Sequence, residues 1–170
     1  IMKKTSIILM LLTASFSILT SCKKDKDNNA NNTCANPNVS ATIESTSYKV
    51  CNGYASIVDV LDYNYFEVVS QVNSSHSLSF AFNTDDRSVV VPGSYTLSNR
   101  ISPYYPSGPL LTSLTYMKDG KIYLSQSGTV TFSIASSTQY KGTFSGIVQN
   151  TSNADDVLRI TNGSFDVTYR

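Results

Sequence analysis

The chain has 170 residues, with 13 lysines and arginines against 12 aspartates and glutamates, so its formal net charge is +1. This balance, with the basic residues scattered, argues against the concentrated basic patch that binds nucleic acid, so we expect no nucleic-acid partner. One histidine and three cysteines are too few to predict a metal site, and no cofactor motif is present, so we predict neither a metal nor a cofactor.

Residues 1–21 have the layout of a secretory signal peptide. Lys3 and Lys4 supply a positive flank, and the apolar run over residues 6–19 contains no charged side chain. This run is shorter than the roughly 20 apolar residues that a transmembrane helix needs. We therefore expect residues 1–21 to be removed rather than to serve as a permanent anchor.

The end of this segment, Leu19-Thr20-Ser21-Cys22, resembles the bacterial lipobox. The resemblance implies that the Cys22 thiolate takes a diacylglyceryl group and that cleavage then makes Cys22 the first residue. The partner would be a membrane, held through an N-terminal lipid whose acyl chains anchor more firmly than a single chain. Ordinary signal cleavage that leaves a free thiol is the alternative.

Residues 23–33 read Lys-Lys-Asp-Lys-Asp-Asn-Asn-Ala-Asn-Asn-Thr and contain no large apolar side chain. Such a segment cannot offset the entropy cost of ordering, so residues 22–33 are predicted to be a lipidated cysteine and a disordered stalk. The eleven residues 23–33, as a coil, span roughly 15 to 20 Å, enough to lift a following domain clear of the headgroups.

Residues 34–170 are the size of one domain. The two remaining cysteines, Cys34 and Cys51, lie near its start. In an exported protein the expected state of Cys34 and Cys51 is a disulfide, and two free thiols are the alternative. If residues 44–47 close a hairpin, Cys51 faces Ser40 and Cys34 must fold back to reach it.

The domain is predicted to consist of strands, because apolar and polar residues alternate along it and a helical repeat is nearly absent. Leu78, Phe80 and Phe82 alternate with small polar residues, and Val130, Phe132 and Ile134 do the same, so each triplet is expected to face a core. The expected strands are 41–43, 47–51, 65–72, 77–82, 94–97, 121–125, 129–134, 140–148, 157–161 and 164–170.

Turn-forming residues separate these segments, and Asp119-Gly120 and Asn162-Gly163 are the strongest hairpin signals. Short strands with regular turns favour an all-β fold with a single antiparallel β-sandwich, and a small lipocalin-like β-barrel is the alternative. Residues 59–64 are the stretch where a short helix is also compatible with the sequence.

No catalytic constellation is visible, so we do not expect an enzyme. His76 lies in the polar stretch 73–77 and reads as an exposed loop residue, without the serine, acid and oxyanion site of a hydrolase. The aspartates come in pairs at residues 85–86 and 155–156, with Asp59 and Asp62 also close, and such pairs are more often turn formers than calcium ligands.

The most suggestive loop is Ser-Pro-Tyr-Tyr-Pro-Ser-Gly-Pro, residues 102–109. Its three prolines stiffen it and keep it out of a central strand, and Tyr104 and Tyr105 lack the alternation that would bury both. Two rings on a rigid loop can stack on sugars or anchor a protein partner. The alternative is that one ring caps the sandwich and the other is ordinary surface.

The last third of the chain contains Gly-Thr-Val-Thr-Phe-Ser-Ile at 128–134, Gly-Thr-Phe-Ser-Gly at 142–146 and Ile-Thr-Asn-Gly-Ser-Phe-Asp-Val at 160–167. With Pro-Gly-Ser-Tyr-Thr-Leu at 92–97, this succession resembles small β-sandwich domains of unknown function in Bacteroidota envelope lipoproteins. The resemblance covers residues 92–170 and the lipobox. It implies a cell-envelope lipoprotein of the outer membrane, on its periplasmic or outer side, and it carries no catalytic residue.

Three functions fit these features. The first is a non-catalytic binding module that recognises a glycan, a peptide or an envelope protein through loops such as the one with Tyr104 and Tyr105. The second is a structural subunit of an envelope complex. The third is a carrier of a small apolar ligand, which requires a closed barrel with an empty interior.

Overall fold

The computed structural model describes residues 34–60, 63–84, 86–99 and 112–170. These residues form ten strands and one short 3₁₀ helix, Arg87–Val89. The strands are β1 (Val39–Ile43), β2 (Thr46–Val50), β3 (Tyr54–Val60), β4 (Tyr63–Asn73), β5 (His76–Phe82), β6 (Gly93–Thr96), β7 (Thr112–Lys118), β8 (Lys121–Ala135), β9 (Gln139–Asn150) and β10 (Asn153–Thr168).

All ten strands belong to one antiparallel sheet with the order β2-β1-β10-β9-β8-β7-β5-β4-β3. The remaining strand, β6, pairs with residues 129–132 in the second half of β8. The sheet folds over, so that β4 and β5 face β8, β9 and β10. Among the described residues no ladder joins the end strands β2 and β3, so the sheet is not closed into a barrel. The prediction of an all-β sandwich is confirmed, and the closed-barrel alternative is not what this chain adopts.

Aromatic rings from both layers fill the space between them. Phe66 of β4 lies 4.7 Å from Tyr140 of β9, between ring centroids, and Phe80 of β5 lies 4.7 Å from Phe144 of β9. Phe82 of β5 contacts Phe132 of β8 at 5.6 Å in an edge-on arrangement, as aromatic pairs prefer. All six rings are almost fully shielded from solvent. The interior is therefore packed with side chains.

The predicted alternation holds for most of the core, with one exception. Leu78, Phe80, Phe82, Val130 and Phe132 are all buried. Ile134, also predicted to face the core, is instead 37% exposed. The register between β8 and β9 shifts between Phe132 and Ile134. The extra residue at this bulge turns the following side chain to the opposite face.

One of the two strongest hairpin predictions was wrong. Asn162-Gly163 does not form a hairpin but lies inside β10, where Asn162 has φ 52° and the register against β9 shifts between Ile160 and Gly163. This is a β-bulge, in which Asn162 takes the left-handed conformation that a tight turn also needs at its first central residue. Asp119-Gly120 does form the hairpin between β7 and β8, as predicted.

The first hairpin has a shorter turn than expected. Ile43 pairs directly with Thr46, so only two residues form the turn, and Ser40 faces Lys49 rather than Cys51. The possible helix at 59–64 is also wrong for the residues described there, because β3 runs to Val60 and β4 starts at Tyr63. Strands β3 and β7 were not predicted.

The sandwich has two distinct ends. At the turn end lie the turns at 74–75, 119–120 and 151–152. The opposite end, here the disulfide end, lies beyond a row of residues that the strand pairing aligns across the sheet. Those residues are Val50, Val39, Phe165, Gly142, Phe132 and Gly93. Cys51 follows Val50 directly and so lies at the disulfide end.

Candidate functional site

Three of the predicted site residues, Cys22, Tyr104 and Tyr105, lie outside the described residues. The other two, Cys34 and Cys51, form a disulfide with a Cα–Cα distance of 5.8 Å. The bond joins the start of the domain to the end of β2. The predicted pairing of these two cysteines is therefore observed.

His76 is not a loop residue but the first residue of β5, and its ring is half-buried. The Tyr116 hydroxyl lies 3.1 Å from Nε2, and the Tyr48 ring packs edge-on against the imidazole. Burial, with a smaller effect of Lys118, lowers the pKa of His76, and burial raises the pKa of Tyr116 to about 12. A histidine bonded to a neutral phenol, without a nucleophile, has the surroundings of a packing residue.

The aspartates whose side chains the structure describes do not gather into one site. Asp156 Oδ2 accepts hydrogen bonds from Lys121 Nζ, Tyr123 Oη and Asn150 Nδ2, and the hydrogen bond from Lys121 is the main cause of its lowered pKa. Asp86, at the other end of the molecule, accepts a hydrogen bond from the Ser88 backbone N–H and caps the 3₁₀ helix. Within the described residues no group of three metal-ligand side chains occurs.

A groove of about 490 Å³ lies on the outer face of β8 and β9, next to the β9–β10 turn at the turn end. Of the described residues that line it, seven of nine have a polar side chain and none is charged. The residues that line it are Asn99, Leu124, Gln126, Gln149, Asn150, Thr151, Ser152, Asn153 and Ala154. Five of these nine carry a side-chain amide, a group that both donates and accepts hydrogen bonds.

A bulge in β8 places Gln126 in this groove. Ser125 pairs with Val148 and Ser127 pairs with Ile147, so Gln126 has no partner on β9. An unpaired bulge residue changes the direction of its side chain, and such bulges are frequent beside binding sites. The bulge lies between the part of β8 that pairs with β7 and the part that pairs with β6.

Ser125 holds the bulge from the inner side. Its buried hydroxyl accepts a hydrogen bond from the Leu114 N–H at 3.0 Å and donates one to the Ser98 carbonyl at 2.6 Å. Gly128, two residues after Gln126, has φ 138°, and a side chain there would meet the Ser145 carbonyl of β9 at 2.3 Å. The backbone around Gln126 is therefore fixed by close contacts on both sides.

The amides of the groove fall into two groups. In the first group internal hydrogen bonds fix the side chain: Gln149 Nε2 donates to the Ala154 carbonyl, Asn150 Oδ1 accepts from the Ser152 N–H, and Asn153 Oδ1 accepts from the Asp155 N–H. The second group is Asn99 and Gln126, which are exposed and whose amides bond to no other residue in the described part of the chain. These two amides are available to a ligand.

Sequence reasoning did not find this groove. Asn150 and Asn153 flank a turn and read as turn formers, and Gln126 falls in the polar stretch Ser-Gln-Ser-Gly at 125–128. The break in alternation at that stretch, followed by a glycine, was the available signal of a bulge. Its proximity to Asn99 and the β9–β10 turn depends on long-range pairing that no local pattern reveals.

No protein-family model, curated protein or solved structure matches this chain. Across residues 34–60, 63–84, 86–99 and 112–170, no helix combines the length and apolar character needed to cross a membrane.

Proposed function

We propose that this protein is a lipid-anchored, non-catalytic binding module of the cell envelope that holds a neutral, hydroxyl-rich ligand such as a glycan. The observation that carries the proposal is the uncharged groove with two unengaged amides, Asn99 and Gln126. Amides suit sugar hydroxyls because each amide can donate and accept at the same time. Leu124 adds an apolar surface for the C–H face of a sugar ring.

The anchoring part of the proposal rests on the sequence. A positive flank, an apolar run, the lipobox-like Leu19-Thr20-Ser21-Cys22 and a polar stalk follow one another in the order typical of bacterial lipoproteins. The resemblance of residues 92–170 to Bacteroidota envelope lipoprotein domains supports an outer-membrane location. Tyr104 is five residues after Asn99, so the chain is long enough for its ring to reach a ligand in the groove.

The packed interior favours a surface site over an interior one. A carrier of an apolar ligand needs an enclosed empty space, whereas rings such as Phe66, Phe80 and Tyr140 fill the layer between the two halves of the sheet. A purely structural role would not explain why a rigid bulge presents an unpartnered glutamine beside a polar groove.

The proposal is tested by measuring the binding of neutral N-acetylchito-, malto- and cello-oligosaccharides to wild-type protein by calorimetry. Asn99→Ala and Gln126→Ala should each weaken binding roughly fivefold, since one net hydrogen bond contributes about 1 kcal/mol. Both side chains are exposed, so neither change should affect folding.

Asn52→Ala is the matched control, because Asn52 is an exposed asparagine at the disulfide end, far from the groove. It should bind as wild type does. Failure of wild-type protein to bind any member of the panel would contradict a hydroxyl-rich ligand. Binding that is unchanged in both groove variants would contradict the groove as the site.

A further inference from the structure

We propose that the disulfide end of the domain rests on the lipid surface through Val89, Val91 and Ile134, so that the groove faces away from the membrane. This inference rests on the proposed lipid anchor at Cys22. The three side chains are 44%, 52% and 37% exposed. Among the described residues the other large exposed aliphatic side chain is Val157, at 45%.

Strand pairing places the apolar side chains at one end. Gly93 pairs with Phe132 in the row that marks the disulfide end. Val91 is two residues before Gly93 and Ile134 two residues after Phe132, and both lie beyond the row on the same side because the strands are antiparallel. Val89 lies two residues before Val91, at the end of the 3₁₀ helix.

Each of these side chains is held outward by a specific feature of the backbone. The Tyr95 hydroxyl accepts a hydrogen bond from the Val91 N–H at 2.9 Å and donates one to the Val91 carbonyl at 2.8 Å. The bulge after Phe132 turns Ile134 away from the core. The Asp86 cap fixes the short helix that carries Val89. About half of the surface of Val89 and Val91, and over a third of that of Ile134, therefore stays exposed in the folded state.

The course of the chain brings this end to the bilayer. Cys51 lies just beyond Val50 in the same row, and its disulfide to Cys34 fixes the first residue of the domain at this end. Only eleven residues separate Cys34 from Cys22. A coil of that length spans roughly 15 to 20 Å, so a lipid on Cys22 would keep the disulfide end at the membrane and raise the local concentration of lipid around it.

The charges at this end are compatible with a lipid surface. Arg87 lies two residues before Val89, and Lys141 is the cross-strand partner of Ile134. Lys141 is paired with Asp166 at 2.9 Å, and Asp86 directly precedes Arg87, so among the described residues each of these two cations has an acid close to it. Contact with the lipid surface would therefore rest on the apolar side chains.

The position of the groove follows from the same geometry. Leu124 in the groove is eight residues before Phe132 in β8, which corresponds to roughly 25 Å at the rise of a strand. A domain that rests on Val89, Val91 and Ile134 therefore holds its binding groove well above the headgroups. Ligands in the surrounding compartment would reach the groove without crossing the lipid surface.

The chain contains no tryptophan, which permits a direct test. Val91→Trp and, as the matched control, Val157→Trp each introduce one reporter at an exposed valine, at opposite ends of the domain. The lipidated full-length variants are reconstituted into phosphatidylglycerol and phosphatidylcholine vesicles whose acyl chains carry bromine. Bromine quenches only a tryptophan that enters the acyl region.

The proposal predicts that Val91→Trp loses most of its emission and shifts to shorter wavelength, while Val157→Trp keeps its emission and remains quenchable by aqueous iodide. Equal iodide access at both sites in protein that floats with the vesicles overturns the docking surface and leaves the anchor intact. Protein that does not float with the vesicles overturns the lipid anchor, and this inference with it.

Discussion

Gln126 illustrates how one unpaired residue in a long strand can create a candidate site. The alternation of the sequence correctly predicts the buried positions Phe80 and Phe82, because burial of the apolar face of each strand away from water is favourable. Alternation does not reveal where a bulge interrupts it, so both Gln126 and the exposed Ile134 were missed. Bulges arise from the fit between two strands, and that fit is not encoded in either strand alone.

Glu67 provides a test of the electrostatics at single-residue level. It lies on β4, half-buried, with Ser56 of β3 and Ala81 of β5 as its cross-strand neighbours. Burial raises the pKa of Glu67 to about 7. A raised carboxyl pKa means that the folded protein binds the proton more tightly than the unfolded chain does. Stability is therefore lost as the pH rises from the unfolded pKa, near 4.5, to about 7.

Glu67→Gln should remove this loss. We expect the variant to gain about 1 to 3 kcal/mol of unfolding free energy relative to wild type between pH 5 and pH 8. Urea unfolding of both proteins at the two pH values measures this gain. The same stability difference at both pH values would show that Glu67 has an ordinary pKa in the folded protein.

Among the structural elements, the strands with strong local signals were predictable and those without were not. The hairpin at Asp119-Gly120 follows from its turn residues. The Asn162-Gly163 bulge carries the same local signal, and only its position within the long β10 distinguishes it from a turn. Strand β7 does show alternation at Leu114 and Tyr116, but it directly follows a proline-rich stretch that favours a loop.

The disulfide should stabilise the domain by limiting the freedom of the unfolded chain. A loop that spans 17 residues in sequence corresponds to about 3 kcal/mol on the chain-entropy account. We expect Cys34→Ser with Cys51→Ser to lose about this amount of unfolding free energy, measured by urea unfolding without reductant.

Reductant provides the control for this prediction. It should destabilise wild-type protein to the level of the double variant and should leave the double variant unchanged. If wild-type protein unfolds at the same urea concentration with and without reductant, the bond does not stabilise the fold.

At the scale of the whole molecule, the fold class was predictable and the candidate site was not. Short alternating segments separated by turn residues determine an all-β sandwich, because each segment has one apolar face to bury. The groove instead combines Asn99, Gln126 and the β9–β10 turn, which are distant in sequence. Only the folded sheet brings these parts together.

The lipid anchor is tested in cells. Cys22→Ala should abolish lipid attachment, because no other residue of the lipobox-like segment offers a thiolate, and should move the protein from the membrane fraction to the soluble or culture fraction. Globomycin, which blocks lipoprotein signal cleavage, should leave wild-type protein with residues 1–21 attached. Unaltered membrane fractionation of the variant would contradict the anchor.

The proposed function requires that the uncharged groove at the turn end binds the ligand. Nuclear magnetic resonance measures this directly, through the side-chain amide signals of isotope-labelled protein during titration with the oligosaccharide that binds best. We predict that the signals of Asn99 and Gln126 shift in proportion to occupancy, while the signal of Asn52 at the disulfide end does not move. Shifts confined to the backbone signals of Tyr104 and Tyr105, or to residues at the disulfide end, would contradict the groove as the binding site.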